Sequence, residues 1–423
     1  MALAWNQPGA CQVSMACERA IGLKTFFSNT PAQINGCVIP AKAGIQYVRM
    51  HKDAFSLDSR HRGNDKLLNQ IIRRNILIIA VLVLSIFSLT PNKSSGSNSF
   101  LPPDSLLLSY AHSGAMAEYE STRDIVGIIR NGTPAIKWAA NWADLLDAAL
   151  LLAEETDLGS SPQPMNYQDI RDRCLITFNA RLSEATGSED SAAALFAIGT
   201  MEGFEATRLE QNRKHIRAMK YAIKSARHLK QAYILDTSLV DAILGFALYD
   251  YWSSKALLAI TWTPLKADLR RESIEKIREV MTDGNYARYL SGAYLSWILI
   301  GEKRYLEAAA VADSLLENVG EARIFLEPSG KAYFMAEEWE EARDRYERLA
   351  LSIRQAVRHN PVAEIGALHR LGQISFEQQD WKAVIHYTET ANSIKLNEKQ
   401  KKRKKDDLKR LGKLRRKAEK NLR

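Results

Sequence analysis

Between about residue 104 and residue 394 apolar residues recur at i, i+3, i+4 and i+7, and alternating apolar–polar runs are absent. Leu145, Ala148, Ala149 and Ala153 form one such stripe; Ala222, Ala226 and Leu229 form another. That period belongs to amphipathic α-helices. Breakers fall between the periodic segments: Gly159-Ser160-Ser161-Pro162, Gly187-Ser188, Asp236-Thr237-Ser238, Asp283-Gly284-Asn285 and Asn360-Pro361. The spacing predicts helix hairpins joined by short loops, and hence an all-α fold.

Upstream the pattern changes twice. Residues 1–66 show no sustained period and are left out of the fold reasoning. They include Val38-Ile39-Pro40-Ala41-Lys42-Ala43-Gly44-Ile45-Gln46 and Leu57-Asp58-Ser59-Arg60-His61-Arg62-Gly63-Asn64-Asp65. Residues 37–65 resemble the translated form of a dispersed intergenic repeat of proteobacteria. The resemblance implies a spurious extension, with a true start at Met50 or near Leu67; the alternative is a disordered extension. Within 67–90, Arg73-Arg74 precede an apolar run from Ile76 to Leu89, 14 residues broken only by Ser85 and Ser88. A spanning helix wants roughly 20 apolar residues and a signal-peptide core about 7–15. Length favours a signal peptide. The lack of an Ala-x-Ala site and the presence of Pro91 favour an uncleaved transmembrane anchor. A buried core helix is the third reading. Lys66, Arg73 and Arg74 on one side, against Lys93 on the other, place residues after about 90 outside the cytoplasm in either membrane reading. For a proteobacterium that means an inner-membrane-anchored or free periplasmic domain. Residues 91–103, rich in Ser, Asn and Pro, read as a linker.

Charge sharpens this division. The chain is net +9 overall, but residues 395–423 hold 15 Lys/Arg against 4 Asp/Glu, and residues 1–98 hold 11 against 4. Residues 99–394 are therefore net −9. The basic tail 395–423 carries a weak stripe of Leu408, Leu411, Leu414 and Leu422. It suits an anionic surface or a solvated helix; with the body outside the cytoplasm, no nucleic-acid partner is expected. Cys174 is the sole cysteine of the body, so no internal disulfide is expected there.

Self-similarity is the most informative feature. Tyr305-Leu306-Glu307-Ala308 aligns with Trp339-Glu340-Glu341-Ala342 at an offset of 34, as Ser296 does with Gly330 and Leu315 with Leu349. Leu326-x2-Ser329-Gly330-x2-Tyr333 precedes the second block, and Tyr346 follows it. Leu371-Gly372 with Asp380-Trp381-Lys382-Ala383 forms a copy 42 residues on, one residue short in its turn. Leu235-Asp236-Thr237, Asp241-Ala242 and Ala247 form a weaker earlier copy. These blocks resemble tetratricopeptide repeat (TPR) proteins over about 232–394. Residues 104–231 read as helical without a repeat phase.

The resemblance implies a TPR-like helix-hairpin array, an α-solenoid in which one hairpin cannot bury its own apolar face and several stack. Ser296, Gly330 and Gly372 would then be the small residues of the first helix in each pair, and Ala308, Ala342 and Ala383 those of the second. Tyr333 and Tyr346 would fill the gaps. It also implies a concave groove lined by Trp297 in one copy, by Glu327, Lys331 and Phe334 in the next, and by His369, Gln373 and Phe376 in the third.

No HExxH, GxSxG or GxGxxG occurs. Ser329-Gly330-Lys331 ends like a phosphate loop, but Phe325 stands where its first glycine would be. No catalytic residue, metal or cofactor is expected, and the chain reads as a non-enzymatic cell-envelope scaffold that binds a protein or peptide. The alternatives are a periplasmic module holding a small ligand in a pocket of the array, and an enzyme whose site is built from 104–231. Aromatic residues at Tyr249-Asp250-Tyr251-Trp252 and Trp262 are expected in the core.

Overall fold

The computed structural model describes residues 33–34, 37–38, 113, 118–131, 138–158, 166–258, 268–284, 287–356 and 358–423. The apolar run from Ile76 to Leu89 and the linker 91–103 lie outside them. The chain divides into two units, residues 1–63 and 64–423. In the first, β1 (Gln33–Ile34) pairs antiparallel with β2 (Cys37–Val38), Gln33 opposite Val38.

Among the described residues of the second unit the only regular elements are helices. The helices are α1 (Tyr119–Arg130), α2 (Ala139–Leu158), α3 (Tyr167–Glu184), α4 (Ser188–Gln211), α5 (His215–Leu235), α6 (Ala242–Leu258) and α7 (Arg270–Asp283). They continue as α8 (Ala287–Gly301), α9 (Tyr305–Val319), α10 (Arg323–Ala336), α11 (Trp339–Gln355), α12 (Pro361–Glu377), α13 (Trp381–Ser393) and α14 (Glu398–Asn421). Each packs on its predecessor and successor. Contacts two elements apart join α2 to α4, α4 to α6, α8 to α10 and α12 to α14. This is a helical array in which neighbours in sequence are neighbours in space. One continuous apolar core runs through it, with Trp142, Tyr251, Phe178, Phe325 and Ile129 its largest fully enclosed side chains.

Four turns share one backbone device. Arg213, Lys303, Glu337 and Gln379 have left-handed φ values of 58°, 63°, 63° and 59°. In each case the next residue donates its N–H to a carbonyl five positions back: Lys214 to Leu209 (2.8 Å), Arg304 to Leu299 (2.8 Å), Glu338 to Tyr333 (3.0 Å) and Asp380 to Ser375 (2.8 Å). This is the Schellman closure, which satisfies end carbonyls and sends the chain back along the helix it has just left. Lys303 and Glu337 are 34 apart, and Glu337 and Gln379 are 42 apart, the two spacings read in the sequence.

Counting from the left-handed residue fixes the register. Seven positions earlier stand Ala206, Ser296, Gly330 and Gly372; two positions later stand His215, Tyr305, Trp339 and Trp381; five positions later stand Ala218, Ala308, Ala342 and Val384. The α4–α5 hairpin is thus a further copy of the unit, within the stretch whose repeats the sequence left unphased. The register also corrects one assignment. Val384, not Ala383, occupies the enclosed position on α13, because the turn before it is not one residue short. Ala383 is half-buried, and its amide is capped by the Asp380 carboxylate at 3.1 Å.

The small residues mark close approaches. A Cβ on Gly330 would lie 3.1 Å from Arg345 Cβ and 3.2 Å from the Tyr346 ring. One on Gly372 would lie 2.7 Å from a Leu411 methyl. Ser296 is fully buried and returns its hydroxyl to the Gly292 carbonyl at 2.8 Å. Leu411 belongs to α14, so the basic tail is a structured element. It opens with a capping box between Asn397 and Gln400 and turns Leu411 and Ala418 inward against α12 and α13.

Gly330→Leu overpacks this crossing and is expected to cost about 1–3 kcal/mol. Gly127→Ala, in α1 with open space around it, is expected to add about 0.5–1 kcal/mol of helix preference. Urea unfolding of the two variants measures both signs.

Candidate functional site

The seven groove positions fall into two groups. Trp297, Lys331 and His369 are enclosed, at 4 %, 5 % and 2 % exposure. His369 lies between α12 and α14, with its Nδ1 3.4 Å from Asp407, whose other oxygen accepts from Lys404 at 2.9 Å. Phe376 is half-buried against Trp381 (5.3 Å, edge-on) and lies under the Lys417 ammonium at 5.5 Å. α14 therefore covers the part of α12 that carries His369, Gly372 and Phe376. Glu327, Phe334 and Gln373 stay half-exposed. Lys331 and Arg370 both lie over the Phe334 ring at 5.1 Å, and Arg370 donates to Gln373 at 2.8 Å. The half-exposed remainder is a short surface on α10 and α12: the Phe334 ring with two cations against it, Gln373 beside Arg370, and Glu327.

The repeat-packing positions converge on a polar lock between three helices. Asp313 of α9 accepts from Ser329 Oγ at 2.6 Å and Tyr333 Oη at 2.8 Å, both on α10. It accepts also from Arg345 of α11 through Nε and Nη2, each at 3.1 Å. Burial opposes the charge on Asp313, but these donors outweigh it and hold the carboxyl below its ordinary value of 3.8. Burial and the same carboxylate push Tyr333 up to about 12. Ser329 and Gly330, the residues that mimic a phosphate loop, are consumed here. A comparable lock joins α6 to the α8–α9 turn. Fully buried Tyr251 donates to Glu302 at 2.7 Å, and Lys255 and Arg270 each meet Glu302 at 3.2 Å. Tyr249 and Trp252 are half-buried around it. Trp262 lies outside the described residues.

Helices α1–α4 hold a concentration of buried charge that the sequence did not reveal. Asp144 meets Arg130 at 2.7 Å and Arg173 at 3.0 Å, and Asp147 meets Arg130 at 2.5 Å. Fully enclosed Glu154 meets Arg123 at 2.5 Å and Arg358 at 3.8 Å, which brings the α11–α12 connection against α2. Glu202 meets His228 at 2.7 Å, and Glu205 meets Arg171 at 3.0 Å. Every buried carboxylate there has an Arg or His partner. Three polar atoms nevertheless lack a hydrogen-bond partner: Tyr167 Oη, Glu205 Oε2 and Arg208 Nε. They are neighbours, since the Arg208 guanidinium lies 4.7 Å over the Tyr167 ring and Glu205 acts electrostatically on Tyr167. Burial, then Glu205, pushes the Tyr167 hydroxyl well up. Cys174 is buried nearby and packs in the core, and burial raises its thiol above the usual range.

Among the described residues no cluster of three or more His, Cys, Asp or Glu could hold a metal ion, and no helix is long and apolar enough to cross a membrane. No family model, curated protein or solved structure matches the chain.

Asp313→Asn removes the charge from the three-helix lock and is expected to cost about 1.5–3 kcal/mol at neutral pH, as for hydrogen bonds to a charged group. A depressed carboxyl stabilises the fold above its unfolded value, and that contribution is lost as pH falls. The gap between wild type and variant should therefore close below about pH 3.8. Denaturant midpoints at neutral and acid pH test the sign.

Proposed function

We propose that the chain is a tetratricopeptide-type interaction module of the cell envelope. In this reading it lacks catalysis of its own and takes a protein or peptide on the first-helix side of its hairpins. The observation that carries this reading is the register common to four hairpins, with a small residue seven positions before the left-handed turn and an enclosed apolar residue five after it. Such an array is quasi-one-dimensional, and its use is to present a continuous face longer than any one hairpin. Half-exposed Phe334, with Lys331 and Arg370 against its ring and with Gln373 and Glu327 on the same two helices, supplies an aromatic anchor and directional polar groups, the composition of a peptide-binding hot spot. The envelope location rests on Arg73-Arg74 and the apolar run after them.

Full-length protein used as bait in envelope extract should retain a stoichiometric protein partner. Glu327→Ala with Gln373→Ala, at half-exposed positions, should lower that retention about tenfold or more, as hot-spot truncations do. Equal retention by the variant would move the site elsewhere. Fractionation should place the chain in the envelope, and full recovery in the cytosol would overturn the topology.

A second reading, a module that holds a small polar ligand, is supported by Tyr167, Glu205 and Arg208. The Tyr167 hydroxyl and one Glu205 oxygen, without hydrogen-bond partners, offer a donor and an acceptor to one guest, beside an Arg208 guanidinium whose Nε faces Glu155 at 3.6 Å. Native mass spectrometry of the full chain should then show a co-purifying small molecule, absent from Glu205→Gln; a bare mass in both would end that reading.

A further inference from the structure

Helix α5 has a composition unlike the rest of the body. Residues 211–235 contain seven Lys/Arg and no Asp or Glu, in a body that is net acidic. Ala218, Ser225, Ala226, Leu229 and Ala232 bury one side of the helix against its neighbours. On the opposite side Ile216 is 72 % exposed, Met219 56 % and Ile234 67 %, with Ile223 also open. At 100° per residue these four share a strip about 60° wide, and Arg217, Lys220 and Lys224 run along one edge of it. Among the described residues no carboxylate pairs with those three cations. Two acids of neighbouring helices are already engaged: Glu202 with His228, and Glu272 with Lys276, near Lys230.

We propose that this face of α5 is a docking surface for an anionic phospholipid bilayer. Aliphatic tips this exposed form a ridge, with no walls for a peptide to lie between. A planar, fluid partner accepts a ridge: the apolar strip enters the headgroup boundary, and the long cationic side chains at its edge reach phosphates while their stems cover apolar surface. At about 30 Å the helix is long enough to lie along the interface through several turns. The basic helix α14 lacks this combination. Its Leu411 and Ala418 are enclosed, so it offers charge without a free apolar strip. The proposal depends neither on the tetratricopeptide reading nor on the run from Ile76 to Leu89.

The test is vesicle flotation of the purified full chain, with phosphatidylcholine alone and with phosphatidylcholine mixed with phosphatidylglycerol. The run 76–89 would engage both vesicles alike, so the readout is the preference for the anionic ones. Wild type should prefer them, and more so at low salt. Each cation near such a surface contributes about a fivefold factor, so Arg217→Ser/Lys220→Ser/Lys224→Ser should weaken the preference by roughly a hundredfold. Ile216→Ser/Met219→Ser/Ile223→Ser should lower binding to the anionic vesicles at high salt, where charge is screened. All six side chains are exposed, and an unchanged melting midpoint and circular dichroism spectrum verify the fold of each variant. Lys409→Ser/Arg410→Ser/Lys413→Ser on α14 should change the preference less than about threefold, its charges lacking an apolar strip beside them. Loss of the preference in the α14 variant with retention in the α5 variants would overturn the proposal. So would equal binding to both vesicles by wild type. Capture of a Glu-rich amphipathic peptide in place of anionic vesicles, lost in the α5 variants, would overturn it in favour of an acidic protein partner.

Discussion

The packing of the helical body depends on close approaches between neighbouring helices at positions where the side chain is small or absent. Ala206, Ser296, Gly330 and Gly372 all sit seven residues before a left-handed residue, and that coincidence of register is mechanical. The same backbone hydrogen bond closes each turn, but the neighbour met seven residues back differs: at Gly330 it is the next helix, α11, and at Gly372 it is Leu411 of α14, two helices on. A large side chain at either glycine would hold those helices apart. The cost of the turn falls on Arg213, Lys303, Glu337 and Gln379, non-glycine residues in a region that disfavours side chains by about 1–2 kcal/mol. The packing on either side has to offset it.

At Gly330 the apolar and polar parts of this device meet. With no side chain on Gly330, Arg345 can lie with its Cβ against α10. Its guanidinium then extends past α10 to Asp313 on α9, where Ser329 and Tyr333, one residue before and three after the glycine, add their hydroxyls. Three consecutive helices are tied through one carboxylate, and a shift of α11 against α10 would break both the contact and the ion pair. An array whose contacts are mostly between neighbours needs such ties, because each interface carries much of its own stability.

The helical class, the hairpin periodicity and the small crossing residues were legible because each follows from local spacing. Three things were not. The α4–α5 hairpin has Ala206 and His215 where other copies have Gly or Ser and an aromatic residue, so its composition hid a register that only the backbone shows. Residue identity points to Ala383, whereas distance from the turn selects Val384, the enclosed residue. Trp297, Lys331 and His369 share helix faces with open residues, but a face is available only if no later element covers it. For His369 and Phe376 that element is α14, which a charge count alone marks as a solvated tail. The α5 surface was legible in principle: no acid stands between Glu210 and Asp236.

Net charge was a poor guide for a physical reason. The body sums to −9, yet Asp144, Glu154, Glu202, Glu205 and Glu364 are enclosed and matched to Arg or His partners. Each such pair takes a carboxylate and its basic partner off the surface together, since a buried ion must be paired to persist. What a partner meets is the residue left on the outside, and this differs from helix to helix. On α5 it is wholly positive and partly apolar. On α14 it is positive, with its leucines mostly turned inward. On α10 and α12 it is a half-exposed aromatic ring with two cations against it. A sum over the sequence averages these surfaces away, and the fold separates them.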